Sequence, residues 1–128
     1  SWDGISIAGL FYAQEILAPI SLEPLAIKGL ASFMQRIEDI QEHHAGLSLR
    51  YILPTFLDRR VRKSQEILEQ LQGYAGEMLC QPIRYNVKLS EAPAHGLTIF
   101  EYAPHSSGAE DYQALTERIQ RDVKRQDS

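Results

Sequence analysis

Four cations fall within five positions, Arg59, Arg60, Arg62 and Lys63, just where a helix is expected to begin. The helix macrodipole disfavours cations at that end and favours acids, so local helix stability is not what the cluster provides. Spacing alone leaves two readings open: a solvated charged turn, or a contact with an anion or the DNA backbone. Four neutralised phosphates would give duplex binding a log–log salt slope of about −3.6. Other reactive residue types are sparse. Cys80 lies in an apolar stretch with no base beside it in sequence, which suits a small buried hydrophobe better than a nucleophile. His43 and His44 project to different sides of a helix end, as solvated residues there do. None of the four lysines, Lys28, Lys63, Lys88 and Lys124, follows a Gly in a Gly-rich turn, and neither G-x-S-x-G nor H-E-x-x-H occurs. These residues therefore cannot cradle a triphosphate in the P-loop manner, and no catalytic or metal-ligating residue is assigned.

The elements that must position the cations follow from hydrophobic spacing. Ile5, Ile7, Ala8, Leu10 and Phe11 form an apolar cluster expected to be the last turns of a helix. Glu15 to Ile20 is a short apolar run broken by Pro19, read as a buried strand. From Leu25 to about His44, Leu25, Ala26, Leu30, Phe33, Met34, Ile37 and Ile40 recur at helical spacing. Leu47 to Phe56 is nearly continuous in apolar residues, as in a strand covered on both faces. A helix with Val61, Ser64, Ile67, Leu68 and Leu71 inward, ending at Gly73, is expected next, then a third strand over Met78 to Ile83. Asn86 to Pro104 has no sustained period and is expected to be an ordered loop or short helical turn, and Ala109 to Val123 a final helix. Strand, helix, strand is the unit of a parallel sheet, so the class is α/β.

Composition sets the outer bounds. The chain has 128 residues, 44% hydrophobic and 23% charged, with net charge −4. A single domain of this size buries roughly two thirds of its unfolded surface without staples. We expect residues 1–124 to form one partial domain and residues 125–128 a frayed tail. One cysteine forms no internal disulfide, which fits a reducing, cytoplasmic setting. No apolar run approaches the ~18 residues of a membrane span, and no secretory signal is evident. The missing initiator Met is expected of a processed chain or an excerpt from a longer polypeptide. The negative net charge argues against coating nucleic acid with the whole surface while allowing a local basic patch.

The segment Arg84 to Phe100, RYNVKLSEAPAHGLTIF, carries the most specific pattern in the chain. Through Asn86, Val87, Lys88, Leu89, Ser90, Glu91, Ala92, Pro93, His95 and Gly96 it resembles the ParA/Soj family of chromosome and plasmid partitioning ATPases. The likeness extends to Pro19, Glu23, Gly29 and Leu30, to Ile52 to Arg60 with its D-x-R turn, and to Gly108-Ala109-Glu110. It implies the C-terminal half of a P-loop NTPase-type three-layer fold, with helices flanking a mainly parallel sheet. It implies further a deviant-Walker ATPase using ATP and Mg, dimerising around two ATP molecules, binding DNA nonspecifically and stimulated by a ParB-like centromere-binding partner. The family's phosphate loop and magnesium acids lie in the other half, so the chain alone is expected to be inactive.

Carried over by position, Arg84, Tyr85 and Asn86 would border adenine, with Pro54, Thr55 and Phe56 on the other side; an Asn amide offers a base edge both a donor and an acceptor. Arg60 and Lys88 would fall on DNA-contacting positions, with Arg59, Arg62 and Lys63 extending the patch. Tyr85 and Lys88 stand where the family usually has Arg; Lys keeps the charge but loses the bidentate fork. Glu91 is read as bracing the turn at Pro93, and His95 likewise as structural. The resemblance places the protein in the cytoplasm, associated with the nucleoid and not with membrane. Two alternatives remain: a noncatalytic remnant that binds DNA or a protein partner, and a fragment of a MinD-like positioning ATPase. The acids Glu110, Asp111, Glu117 and Asp122 in the last helix weaken the membrane attraction that the MinD-like reading needs.

Overall fold

The computed structural model describes residues 15–126, so the apolar cluster Ile5 to Phe11 lies outside the described residues. Two strands, β1 (Glu15–Ser21) and β2 (Ser48–Thr55), are joined by α1 (Ala26–Gln41). They pair in parallel from Glu15 opposite Ser48 to Ser21 opposite Thr55, with an irregularity between Ile16 and Leu17. Parallel neighbours need a crossover rather than a tight turn, and α1 supplies it. After β2 come α2 (Arg62–Ala75), a 3-10 turn (Gly76–Met78), α3 (Val87–Ala94), α4 (Ile99–Tyr102) and α5 (Ser107–Gln126).

Helices cover both faces of the strand pair. Leu22, Leu30, Ile52, Leu57, Ile67 and Leu71 pack together on the face covered by α1 and α2. Ile16, Ala18, Phe33, Ile37 and Leu47 extend that face along α1. On the other side Tyr51, Leu53, Cys80 and Ile83 meet Leu17 and the α5 residues Tyr112, Leu115 and Ile119. Ile52 points one way while Tyr51 and Leu53 point the other, which is why β2 reads as an unbroken apolar run instead of alternating. The α/β expectation holds: a parallel pair sits between helical layers.

The expected third strand is only partly realised. Residues 79–84 do run in parallel beside β2 and the turn after it, yet they pair only at isolated bridges, Ile52 of β2 with Leu79 and Leu57 of the turn with Arg84. Cys80 N–H donates to Ile52 O and Ile83 N–H to Pro54 O, each at 2.8 Å. Pro54 and Pro82 have no N–H to give, so a continuous ladder cannot close between these segments. Arg118 of α5 holds the start of this segment by donating to the carbonyls of Glu77 and Leu79. Its neighbour Asp122 accepts the Tyr51 hydroxyl at 2.7 Å. Cys80 is buried and its thiol is pushed up by desolvation, in keeping with a packing role.

The aperiodic stretch Asn86 to Pro104 holds two helices, α3 of 8 residues and α4 of 4, too short to show a period. Each has its own start signal. Asn86 Oδ1 accepts from Lys88 N–H at 2.8 Å, and Thr98 with Glu101 forms a reciprocal capping box. The chain then turns into α5 at Gly108, where a Cβ would lie 2.7 Å from Leu89 Cγ and 2.9 Å from Cδ2. The approach of α5 to α3 thus requires a residue with no side chain. Gly108→Ala should lower stability by ~1–3 kcal/mol through overpacking, read as a lower urea midpoint at unchanged slope. An unchanged midpoint would show that Leu89 moves aside freely.

Candidate functional site

Open parallel sheets place ligands at the carboxyl ends of their strands. Here the turn after β2 and the segment running beside it meet at that end: Leu57 N–H donates to Ile83 O at 3.1 Å, and Tyr85 N–H to Leu57 O at 2.7 Å. Two stretches more than twenty residues apart in sequence thereby wall one groove of about 490 Å³. Asp58, Arg59 and Arg60 line it from the first stretch and Arg84, Tyr85 and Asn86 from the second.

Arg84 is held from behind. Its backbone N–H donates to Asp111 Oδ2 at 2.8 Å, its Nε to the same oxygen at 3.1 Å, and its Nη2 to Asp111 Oδ1 at 3.0 Å. Nη2 also reaches Glu110 Oε2 at 3.0 Å. Asp111 is only 2% exposed, so these contacts provide what water would otherwise supply. The Asp111 hydrogen bonds, then Glu110, hold the Arg84 guanidinium above its ordinary pKa. Asn86 is half committed: Nδ2 donates to Ser107 Oγ at 2.8 Å, and Oδ1 caps α3. One N–H and one lone pair of the amide remain for a ligand. Tyr85 beside it is 52% exposed.

The other residues expected around a base divide. Pro54 is buried inside β2, with its carbonyl taken by Ile83. Thr55 and Phe56 line a second, larger groove of about 760 Å³ along α1, together with Ile20, Leu25 and Arg36. Phe56 is exposed and has φ of +58°, a rare backbone state for a bulky residue.

The cations also divide. Arg60 forms a fork with Asp58, Nε to Oδ1 and Nη2 to Oδ2, each 3.0 Å, and its side chain stays 80% exposed. Arg59 is exposed beside it. Arg62 and Lys63 start α2 and both approach Glu66 at 3.8 Å, which answers the unfavourable helix dipole within one turn. Lys88 stands 3.6 Å from Glu91 and over the Tyr102 ring, 5.8 Å from its centroid. Sequence reasoning missed Asp58, Ser107 and Asp111 as partners of these residues. Only Asp58 left a readable signal, two residues before Arg60 in the D-x-R turn.

No protein-family model matches the chain. Among individual proteins, it is 36% identical over 117 residues to the chromosome-partitioning ATPase Soj of Treponema pallidum, covering 90% of this chain and 46% of that protein. The Soj ATPase of Thermus thermophilus is 33% identical over 120 residues, covering 90% and 47% respectively. The sporulation initiation inhibitor protein Soj of Bacillus subtilis is 31% identical over 117 residues, covering 90% and 46%. The chain is ParA/Soj-like along nearly its whole length. It spans about half the length of the curated relatives it matches.

Within this ParA/Soj-like chain the most specific run is braced internally. Glu91 Oε2 accepts the Tyr102 hydroxyl at 2.6 Å, linking α3 to α4, and His95 stacks on Tyr102 at 5.1 Å between centroids. The Tyr102 hydrogen bond, with Lys88 nearby, holds the Glu91 carboxyl below the usual range. A lowered carboxylate pKa contributes stability above the ordinary carboxylate range, and that contribution is lost as pH falls through the lowered value. Tyr102→Phe should raise the Glu91 pKa, read by carboxyl NMR titration. An unchanged Glu91 titration would remove the hydroxyl as the cause.

Proposed function

We propose that this chain is the C-terminal part of a ParA-like partitioning ATPase, in which the groove at the sheet end borders the adenine of ATP and its basic rim holds DNA by the backbone. The observation that carries the reading is the meeting of Leu57–Arg60 with Arg84–Asn86, which joins a base-sized groove and a cationic rim in one surface. ParA/Soj-like similarity over nine tenths of the chain supports it.

The residues fit the base end of the nucleotide. Tyr85 offers an exposed ring, and Asn86 keeps a donor and an acceptor, while Arg84 holds the wall through Asp111. They do not fit the magnesium end: among the described residues no three His, Cys, Asp or Glu side chains gather to hold a metal ion. ATP supplies the phosphoanhydride; this chain's residues orient the base and place cations beside DNA. Dimerisation around ATP and stimulation by a ParB-like centromere-binding protein belong to the same reading, as does a nucleoid-associated, cytoplasmic location. No described helix is long and apolar enough to cross a membrane.

Backbone contacts carry no sequence information, so binding should be nonspecific and steeply salt-dependent. Arg59, Arg60 and Lys88 are the cations placed for it, with Arg62 and Lys63 adding to the field. Fluorescence anisotropy on a random-sequence duplex should give a salt slope of about −3 to −4, falling by about 1.8 in Arg60→Ala/Lys88→Ala. Absence of binding at low salt, or a slope unmoved in the double variant, would overturn the DNA part. The purified 128-residue chain should show no magnesium-dependent ATP hydrolysis above a mock preparation, because its residues include no phosphate loop. Hydrolysis would overturn the assignment of the catalytic parts to the rest of the ATPase.

A further inference from the structure

We infer that Asp58, although acidic, is a positioning residue for DNA binding, holding Arg60 in the orientation that meets a phosphate. This rests on the DNA reading above and deepens it. Asp58 takes three donors of the same residue: the Arg60 backbone N–H, Nε and Nη2, all at 3.0 Å. Two parallel contacts fix the plane of the guanidinium and the third fixes the backbone that carries it, so the side chain closes on its own turn.

The turn is itself anchored. Asp58 N–H donates to the buried Ser64 Oγ at 3.2 Å, Val61 N–H donates to Asp58 O at 3.0 Å, and the preceding Leu57 is buried between Ile83 and Tyr85 by its backbone bonds. Asp58 is thereby carried on the packed start of α2, while the Arg60 side chain stands 80% exposed above it. A guanidinium has five N–H donors. Asp58 uses Nε–H and one Nη2–H along one edge, which leaves both Nη1 hydrogens and the other Nη2–H; one Nη1–H and that Nη2–H point outward side by side, a pair fit for one phosphate. Lys88 contrasts with this, because a single ammonium at 3.6 Å from Glu91 is attracted without being oriented.

Charge alone makes the opposite forecast. A carboxylate beside a DNA surface repels phosphate, so its removal should tighten binding. Positioning forecasts weaker binding, because a freed Arg60 must give up its rotamer freedom on the DNA. The sign of the change decides between them.

Duplex affinity of the full chain is measured by anisotropy at fixed salt for the parent, Asp58→Ala, Asp58→Asn, Arg60→Ala and Asp58→Ala/Arg60→Ala. Glu69→Gln, which neutralises another exposed acid on α2, serves as the charge control. We expect Asp58→Ala and Asp58→Asn to bind roughly three- to tenfold more weakly, a range bounded by the modest strength of an exposed charge pair and the ordering of one long side chain. In the Arg60→Ala background Asp58→Ala should change nothing further, as a double-mutant cycle requires of a residue acting through its partner. Asp58→Asn keeps an oxygen for the Arg60 backbone N–H and so guards against loss of the turn, with far-UV circular dichroism reporting folding. Tighter binding in the Asp58 variants, or an Asp58→Ala loss that persists without Arg60, overturns the inference while leaving DNA binding intact. A parent chain that does not bind overturns both readings.

Discussion

A carboxylate that is 2% exposed must have its hydrogen bonds supplied by protein, and Asp111 receives them from the backbone and guanidinium of Arg84. Much of the site depends on that. The segment beside β2 has too few ladder bonds to define its own path, because Pro54 and Pro82 interrupt the donors. Asp111 fixes it instead from the start of α5, and Glu110 and Ser107 on the same turn hold Arg84 and Asn86. Gly108 allows this turn to come close, since a side chain there would meet Leu89. One helix start therefore sets the wall of the groove, the cap of α3 and the path of the third segment.

Most of the clustered cations of this net-acidic molecule have an acid beside them. The overall charge of −4 coexists with Arg59 and Arg60 lining the groove at one end of the sheet. Exposed ion pairs contribute little to stability, so Arg60 with Asp58 and Lys88 with Glu91 are weak reasons for the fold. Their effect is on where the cations stand. Arg62 and Lys63 differ, because Glu66 lies one turn along α2 and answers the dipole that made the cluster look out of place in the sequence.

The fold was legible where burial imposes a period. The α1 positions Ala26, Leu30, Phe33 and Ile37 are buried as their spacing requires, and β2 is apolar throughout because it is covered on both faces. The short α3 and α4 were not legible as helices, since 8 and 4 residues set no period; their caps at Asn86 and Thr98 were the available signal. The third strand was legible in position but not in its broken pairing, which depends on two prolines lying on facing segments. Resemblance to ParA/Soj singled out Arg59–Arg60 and Arg84–Asn86, which the structure brings to one groove, while the partners that orient Arg84 and Asn86 came from α5, whose acids the sequence presents as an ordinary charged helix face.

Arg84 shows why residue type is a poor guide to role without a count of donors and acceptors. In sequence it is a cation in a run associated with nucleotide binding, the kind of residue expected to touch a ligand. In the structure its Nε and Nη2 are occupied by Asp111 and Glu110, and its backbone N–H is taken as well. Drawing that guanidinium toward a ligand would leave the Asp111 carboxylate buried and short of partners, a loss that one new contact in water does not offset. Asn86 spends only part of its amide on Lys88 and Ser107, and Tyr85 is 52% exposed. Within the groove, Arg84 is thus committed to holding the wall, while Asn86 beside it keeps part of its amide uncommitted.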